Sequence, residues 1–205
     1  MKTIGFIGLG HMGTPMVKNL LKNNYQVKIF DVNKTAMEAL ISIGAIAAKS
    51  LIEIAHDSDA VFTMLQTGDQ VKQSCLNEQG IFKHLNKPGS IYIDSSSIDI
   101  EISRELHTQA KSQGIAMLDA PVSGGVVAAA AGSLTFMVGG DEKNFTFAQP
   151  LLSAMGKKII YAGAAGSGAA AKICNNMILG VSMIAVCEAF VLAVDILPVM
   201  NDGDS

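Results

Sequence analysis

The stretch Thr3-Ile4-Gly5-Phe6-Ile7-Gly8-Leu9-Gly10-His11-Met12-Gly13 decides how the chain is read. Thr3 to Ile7 is a short apolar run, the pattern of a buried strand. The G-x-G-x-x-G that follows, Gly8-Leu9-Gly10-His11-Met12-Gly13, opens a helix expected from about Met12 to Lys22 with Met16, Leu20 and Leu21 inward. Gly8 permits the tight turn, Gly10 lets the backbone approach a pyrophosphate, and Gly13 lets helix and strand pack closely. The helix start offers free N–H groups and a positive dipole end to phosphate oxygens. Six residues alone are a weak pattern. Asp31 strengthens it, because it ends the next expected strand, Gln26 to Phe30, and lies 18 residues past Gly13, where an acid accepts from ribose hydroxyls. A carboxylate there repels a 2′-phosphate, which favours NAD over NADP, although Lys34 is placed to reach such a phosphate. His11 reads as a variable residue of the cradle rather than a catalyst.

Outward from this segment, short β-branched runs alternate with longer amphipathic ones, the signature of parallel βα units. Asn33 reads as the N-cap of a helix carrying Met37, Leu40 and Ile41. Further strands are expected at Ala45–Ala47, Ala60–Met64, Ser90–Asp94, Ile115–Asp119, Leu134–Val138 and Lys158–Tyr161. Helices are expected at Leu51–Ala55, Asp69–Leu76, Ile98–Gln113 and Glu142–Met155, with Pro150 a kink site in the last. A Gly/Ala linker, Gly163 to Gly168, leads to an apolar helix ending near Leu197. The fold class is therefore α/β, a Rossmann-type doubly wound and mostly parallel sheet. Residues 1–163 are expected to form a dinucleotide-binding domain and 164–205 the start of a helical one.

The chain has 205 residues, 49% of them hydrophobic, with a formal net charge of −3. That apolar content excludes disorder, and the absence of a basic stripe argues against a nucleic-acid partner. Cys75, Cys174 and Cys187 are too few and too separated for a disulfide framework and read as small buried hydrophobes. No metal is expected, since His11, His56, His84 and His107 lack ligand spacing. The N-terminus carries no signal-peptide or transit-peptide pattern, which places the chain in the cytoplasm. The mean hydropathy of +0.36 raises the question of a membrane. Only 15 uncharged residues separate Lys172 from Glu188, against the roughly 20 a span needs, so the apolar helix is expected to be buried in protein.

Two segments carry chemistry. In Asp119-Ala120-Pro121-Val122-Ser123-Gly124-Gly125, the adjacent glycines expose backbone N–H groups and Ser123 adds a hydroxyl, which suits a small carboxylate; a plain turn is the alternative. In Gly166 to Asn176, Lys172, Asn175 and Asn176 stand at i, i+3 and i+4 and share one helix face. A polar set on an apolar helix is costly unless it meets partners or a ligand. A lysine near a helix start in an apolar cleft should have a depressed pKa, suiting it to handle an alcohol proton during hydride transfer.

At these residues the chain resembles the β-hydroxyacid dehydrogenases, and among them the 3-hydroxyisobutyrate dehydrogenases. The matching stretches are Gly5 to Gly13, Asp94-Ser95-Ser96-Ser97, Asp119 to Gly125 with Gly132 to Gly140, and Gly166 to Met177. They lie in the family's order and spacing over residues 1 to about 190. The resemblance implies that Lys172 is the catalytic lysine and that Asn176 holds the substrate beside it, with Asn175 on the same face. Ser123, Gly124 and Gly125 would bind the substrate carboxylate. Met64 and Leu65 would contact NAD, with Ser97 near its nicotinamide end. Gln66 stands where many relatives have Pro, and Ser97 replaces a commoner Thr.

The implied reaction is reversible oxidation of a primary alcohol β to a carboxylate, as from 3-hydroxyisobutyrate to methylmalonate semialdehyde in valine catabolism. Tartronate semialdehyde or succinic semialdehyde reduction is the alternative within the class, and a non-catalytic dinucleotide-binding or oligomerisation module the alternative outside it. Family members continue into an all-helical domain, whereas this chain stops at Ser205. The expectation is therefore a truncated helical domain and a homo-oligomer formed through the apolar helix.

Overall fold

The structure is a computed structural model, and it describes residues 2–196. Strands β1 (Thr3–Ile7), β2 (Gln26–Phe30), β3 (Ile46–Ala47), β4 (Ala60–Thr63), β5 (Ile91–Asp94) and β6 (Ala116–Asp119) pair in parallel in the order β3-β2-β1-β4-β5-β6. Between them run α1 (Gly13–Lys22), α2 (Lys34–Ile41), α3 (Leu51–Ala55), α4 (Gly68–Leu76), α5 (Ile81–His84) and α6 (Ile100–Ser112). The chain then reverses. β7 (Val122–Ser123), α7 (Gly125–Ala131), β8 (Leu134–Gly140), α8 (Glu142–Ser153) and β9 (Gly156–Gly163) follow, with β8 antiparallel to β6 and β7 and parallel to β9. β6 and β7 share one register along β8, and Pro121 between them accepts from the Met137 N–H at 3.0 Å.

All four residues of β4 and of β5 are buried, as expected of strands covered on both faces. Alternate side chains feed two cores. Phe6, Phe62, Ile93 and Leu118 join Met16, Leu20 and Leu151 on one face. Ile7, Val61, Tyr92 and Met117 join Ile54, Val71 and Leu106 on the other. Asn33 caps α2, its side chain accepting from the Thr35 N–H, and Ser50, Thr67, Asp99 and Asp141 cap α3, α4, α6 and α8 in the same way. Met37 and Leu40 are buried on α2, whereas Ile41 is exposed.

One row of the sheet positions the site. Phe30, Ile7, Thr63, Asp94, Asp119, Gly139 and Gly163 are neighbours in successive strands. The first five each end their strand, so the row marks the carboxyl edge of the parallel sheet, where ligands gather in open α/β folds.

The chain divides into two compact units, Met1–Lys172 and Ile173–Ser205. Helix α9 (Ser167–Ile196) begins in the first. In the second, every described side chain from Asn176 to Leu192 is exposed. The expected cover is therefore not supplied by the described residues of this chain: an apolar composition shows that a helix needs cover, not what provides it. Cys174 and Cys187 are likewise exposed rather than buried, because they lie on this helix, whereas Cys75 is buried on α4. By length and composition alone α9 is sufficient to cross a membrane. The expected helix end near Leu197 falls outside the described residues.

Candidate functional site

A cavity of about 580 Å³ opens at the carboxyl edge, lined by Gly8, Leu9, Gly10, Asp31, Met64 and Leu65, together with Gln66, Gln70 and Asn77. These six expected residues meet there because β1, β2 and β4 end side by side. Gly8 has φ +93°, a left-handed conformation that admits glycine at little cost. A Cβ on Gly13 would lie 1.9 Å from the Gly8 carbonyl oxygen, so α1 starts as close to the turn as the backbone permits. A Cβ on Gly10 would meet nothing within 4 Å and would project into open space. His11, Met12, Gly13 and Ser97 do not line the cavity: His11 and Ser97 are exposed, and Met12 packs against the core.

Asp31 holds the cradle together. Its Oδ2 accepts from the Leu9 N–H at 2.6 Å and its Oδ1 from the Asn33 N–H at 2.7 Å. Each oxygen keeps a free lone pair for a further donor. Among the described residues the N–H groups of Gly10, His11 and Met12 meet no acceptor, leaving the start of α1 open to an anion. Free N–H groups beside a half-buried carboxylate fit the pyrophosphate and ribose of a dinucleotide.

Behind the cavity lies a buried polar chain that the sequence reading missed. Tyr92 O–H donates to Thr63 Oγ1 at 2.6 Å, and Thr63 Oγ1 donates to Asp94 Oδ1 at 2.8 Å. The Ser96 N–H donates to the same oxygen at 3.1 Å, and Ser96 Oγ accepts from the Leu65 N–H at 2.9 Å. The loop carrying Met64 and Leu65 is thus fastened through Ser96 to a carboxylate 1% exposed. Burial pushes the Asp94 carboxyl up to about 6 against the hydrogen bonds from Ser96 and Thr63. Burial also raises the Tyr92 hydroxyl and the Cys75 thiol, so neither ionises in the neutral range.

The second expected segment follows the Asp119 end of the row. Val122 and Ser123 pair with β8, and Gly124 and Gly125 turn outward with φ +126° and +67°. Both glycines are exposed and Ser123 is half-buried. Asp119 is buried: its Oδ1 accepts from His107 Nε2–H at 2.8 Å and the Gly166 N–H at 2.9 Å, and its Oδ2 from the Ala169 N–H at 2.9 Å. Lys172, half-buried one turn farther along α9, has its pKa lowered by burial. In the second unit, Asn175 is half-buried and Asn176 exposed, the two 3.4 Å apart between Nδ2 and Oδ1. Among the described residues no cluster of three or more His, Cys, Asp or Glu side chains gathers around a common point.

Residues 3–163 match the family model described as the NAD binding domain of 6-phosphogluconate dehydrogenase. The chain belongs to the β-hydroxyacid dehydrogenase family. Within this family it is 46% identical over 194 residues to an NAD-dependent L-serine dehydrogenase of Pseudomonas aeruginosa, covering 95% of this chain and 65% of that protein. It is 47% identical over 191 residues to human mitochondrial 3-hydroxyisobutyrate dehydrogenase, covering 93% of this chain and 56% of that one. The solved 3-hydroxyisobutyrate dehydrogenase of Mycobacterium tuberculosis, determined with L-serine, superposes with a TM-score of 0.89 at 47% identity, over 95% of this chain and 66% of that one. The chain therefore spans 56–65% of the length of the curated dehydrogenases it matches. An alignment over 194 of 205 residues takes in most of α9, so the apolar helix lies within the sequence shared with that L-serine dehydrogenase.

Proposed function

We propose that this β-hydroxyacid dehydrogenase chain binds NAD and takes part in oxidising a small acid with a primary alcohol β to its carboxylate. The observation that carries the reading is the Asp31 cradle, joined in one chain to the helix that bears Lys172. 3-Hydroxyisobutyrate and L-serine share that CH2OH group and differ in the methyl or ammonium on the intervening carbon, so the class is argued from what they share. In this reading residues 1–163 are the dinucleotide-binding domain and 164–205 begin the helical one.

The pyrophosphate rests against the N–H groups of Gly10, His11 and Met12, with Gly8 and Gly13 shaping the turn. Asp31 accepts from the adenosine ribose, which favours NAD over its 2′-phosphorylated form. Leu9, Met64 and Leu65 pack against the cofactor, and Ser97 stands toward its nicotinamide end. When bound, NAD+ supplies a two-electron oxidant. Ser123, Gly124 and Gly125 hold the substrate carboxylate, and Asn175 and Asn176 orient the alcohol. Lys172 accepts the hydroxyl proton at Nζ as the carbinol carbon gives up its hydride. Burial lowers its pKa, which makes the neutral amine more accessible near neutral pH.

The exposed apolar length of α9 is read as the contact with a second copy of the chain, and the free cysteines as fitting the cytoplasm. The test is NAD+ reduction with 3-hydroxyisobutyrate and with L-serine, run beside NADH fluorescence titration. Lys172→Ala should abolish turnover and leave the NADH Kd within about twofold. Near-normal rates in that variant would remove Lys172 from the reaction, and NADH binding without turnover in the unaltered chain would defeat the enzyme reading.

A further inference from the structure

Asp119 does not touch the dinucleotide cavity, and its position is unusual for a carboxylate. It is almost wholly buried, its side chain 3% exposed and that of His107 11%. Such a group is tolerated inside a protein only when its oxygens are hydrogen-bonded. Here three donors converge on it from α6, from Gly166 and from the first turn of α9.

Two of those donors are N–H groups that a helix start leaves without intrahelical partners. At the start of α9 the Ala170 N–H reaches the Gly166 carbonyl at 3.0 Å, and the Ser167 N–H reaches the Ala164 carbonyl at 2.9 Å. The Gly166 and Ala169 N–H groups go instead to Asp119, 47 and 50 residues earlier. A strand end thus supplies the cap, and its negative charge faces the positive end of the helix dipole. The seat has no slack. A Cβ on Gly168 would lie 2.3 Å from the Met137 carbonyl oxygen and 2.6 Å from that of Asp119, and a Cβ on Gly139 would lie 2.6 Å from Asp119 Oδ1.

We propose that Asp119, held by His107, is a positioning residue that fixes where Lys172 stands relative to the Ser123-Gly124-Gly125 loop. The inference rests on the reading of Lys172 and that loop given above. Ala169 precedes Lys172 by three residues, about 4.5 Å of helix axis, so a shift of the capped turn carries Lys172 with it. On its other side Asp119 precedes Ser123 by four residues in a segment pinned to β8. One carboxylate therefore grips both halves of the proposed substrate site. Its bonds to His107, Gly166 and Ala169 give it a holding role.

The test compares Asp119→Asn with the unaltered full chain by amide hydrogen exchange, by NADH titration and by NMR titration of a 13C-methylated Lys172. The amide places an NH2 group against one of the donors. Exchange at residues 166–172 should rise at least tenfold while the NADH Kd changes less than twofold, and Lys172 should titrate nearer an ordinary lysine. With turnover measurable, kcat should fall at least tenfold at an unchanged KM for NAD+. Unchanged exchange and Lys172 titration would overturn the proposal. So would equal loosening of the Gly8–Gly13 segment, which marks a general structural role. If Asp119→Asn does not fold, His107→Phe and His107→Gln decide: Phe should loosen residues 166–172, and Gln, which keeps a donor, should restore them. No effect of Phe would overturn the inference. A wild-type chain without turnover would defeat the functional reading alone, since exchange and titration do not depend on it.

Discussion

Asp94→Asn should change how the stability of the chain responds to pH. The Asp94 carboxyl is fully enclosed, and burial raises its pKa from 3.8 to about 6, with hydrogen bonds from Ser96 and Thr63 opposing the rise and the nearby Asp119 adding to it. The folded state therefore holds this proton more tightly than the unfolded chain. Its contribution to stability is present in full below about pH 4 and is lost as pH rises through about 6. A shift of roughly two units at about 1.4 kcal/mol each amounts to about 3 kcal/mol between those limits. Asn retains an oxygen to accept from Thr63 and the Ser96 N–H but does not titrate. Other carboxylates act in the opposite sense. Partial burial works against ionisation of Asp59, yet the Lys2 and Thr3 N–H groups and the Lys87 ammonium hold its pKa well below the usual range. The useful quantity is thus the difference between the two proteins. Urea unfolding at pH 4, 5, 6 and 7.5 should show the stability of wild type minus that of Asp94→Asn falling by about 3 kcal/mol from pH 4 to 7 and levelling off above. A difference that is flat, or that rises with pH, would refute the account of Asp94.

Asp31→Ala removes the acceptor of the Leu9 and Asn33 N–H groups; at about 1.5–3 kcal/mol for a bond to a charged group, NADH should bind roughly 10- to 100-fold more weakly and discrimination against NADPH should relax. Fluorescence titration with both nucleotides checks this, and an unchanged preference would sink the assignment of Asp31. Gly13→Ala and Gly10→Ala should separate folding from binding. The first drives a Cβ into the Gly8 carbonyl and should lower Tm by about 5 °C or more together with NADH affinity. The second meets no atom of the chain and should lower affinity at an almost unchanged Tm, as thermal melts with and without NADH would show.

The parallel half of the sheet was legible in the sequence because doubly covered strands read as apolar runs between turn signals, as Ala60–Thr63 and Ile91–Asp94 do. The glycine turn was legible because Gly8 and Gly13 answer local steric demands and Gly10 keeps the expected spacing between them. Short pieces were not. The two residues of β7 and the four of α5 are too few to show a period, and the alanines of α7 carry no amphipathic pattern. The Asp94 and Asp119 contacts were hidden for another reason. Asp119 meets its partners 12, 47 and 50 residues away, and nothing in the flanking sequence announces them. The exposure of α9, with Cys174 and Cys187, shows the limit of composition, which registers a tendency to be buried but not the surface that meets it.

The row from Phe30 to Gly163 acts as a common datum line across the sheet. A residue added or removed inside any of these strands would turn its side chains to the opposite face and carry Thr63, Asp94 or Asp119 off the line. Beyond the line the two segments differ: 64–67 is a loop that can vary while the line stays in place, whereas 120–123 continues the register of β6 along β8 and cannot change in length without moving Asp119. The scaffold therefore separates two design freedoms: the loop after β4 can be exchanged as a cassette cut on the loop side of the row, while the segment after β6 can be altered in chemistry but must keep its length.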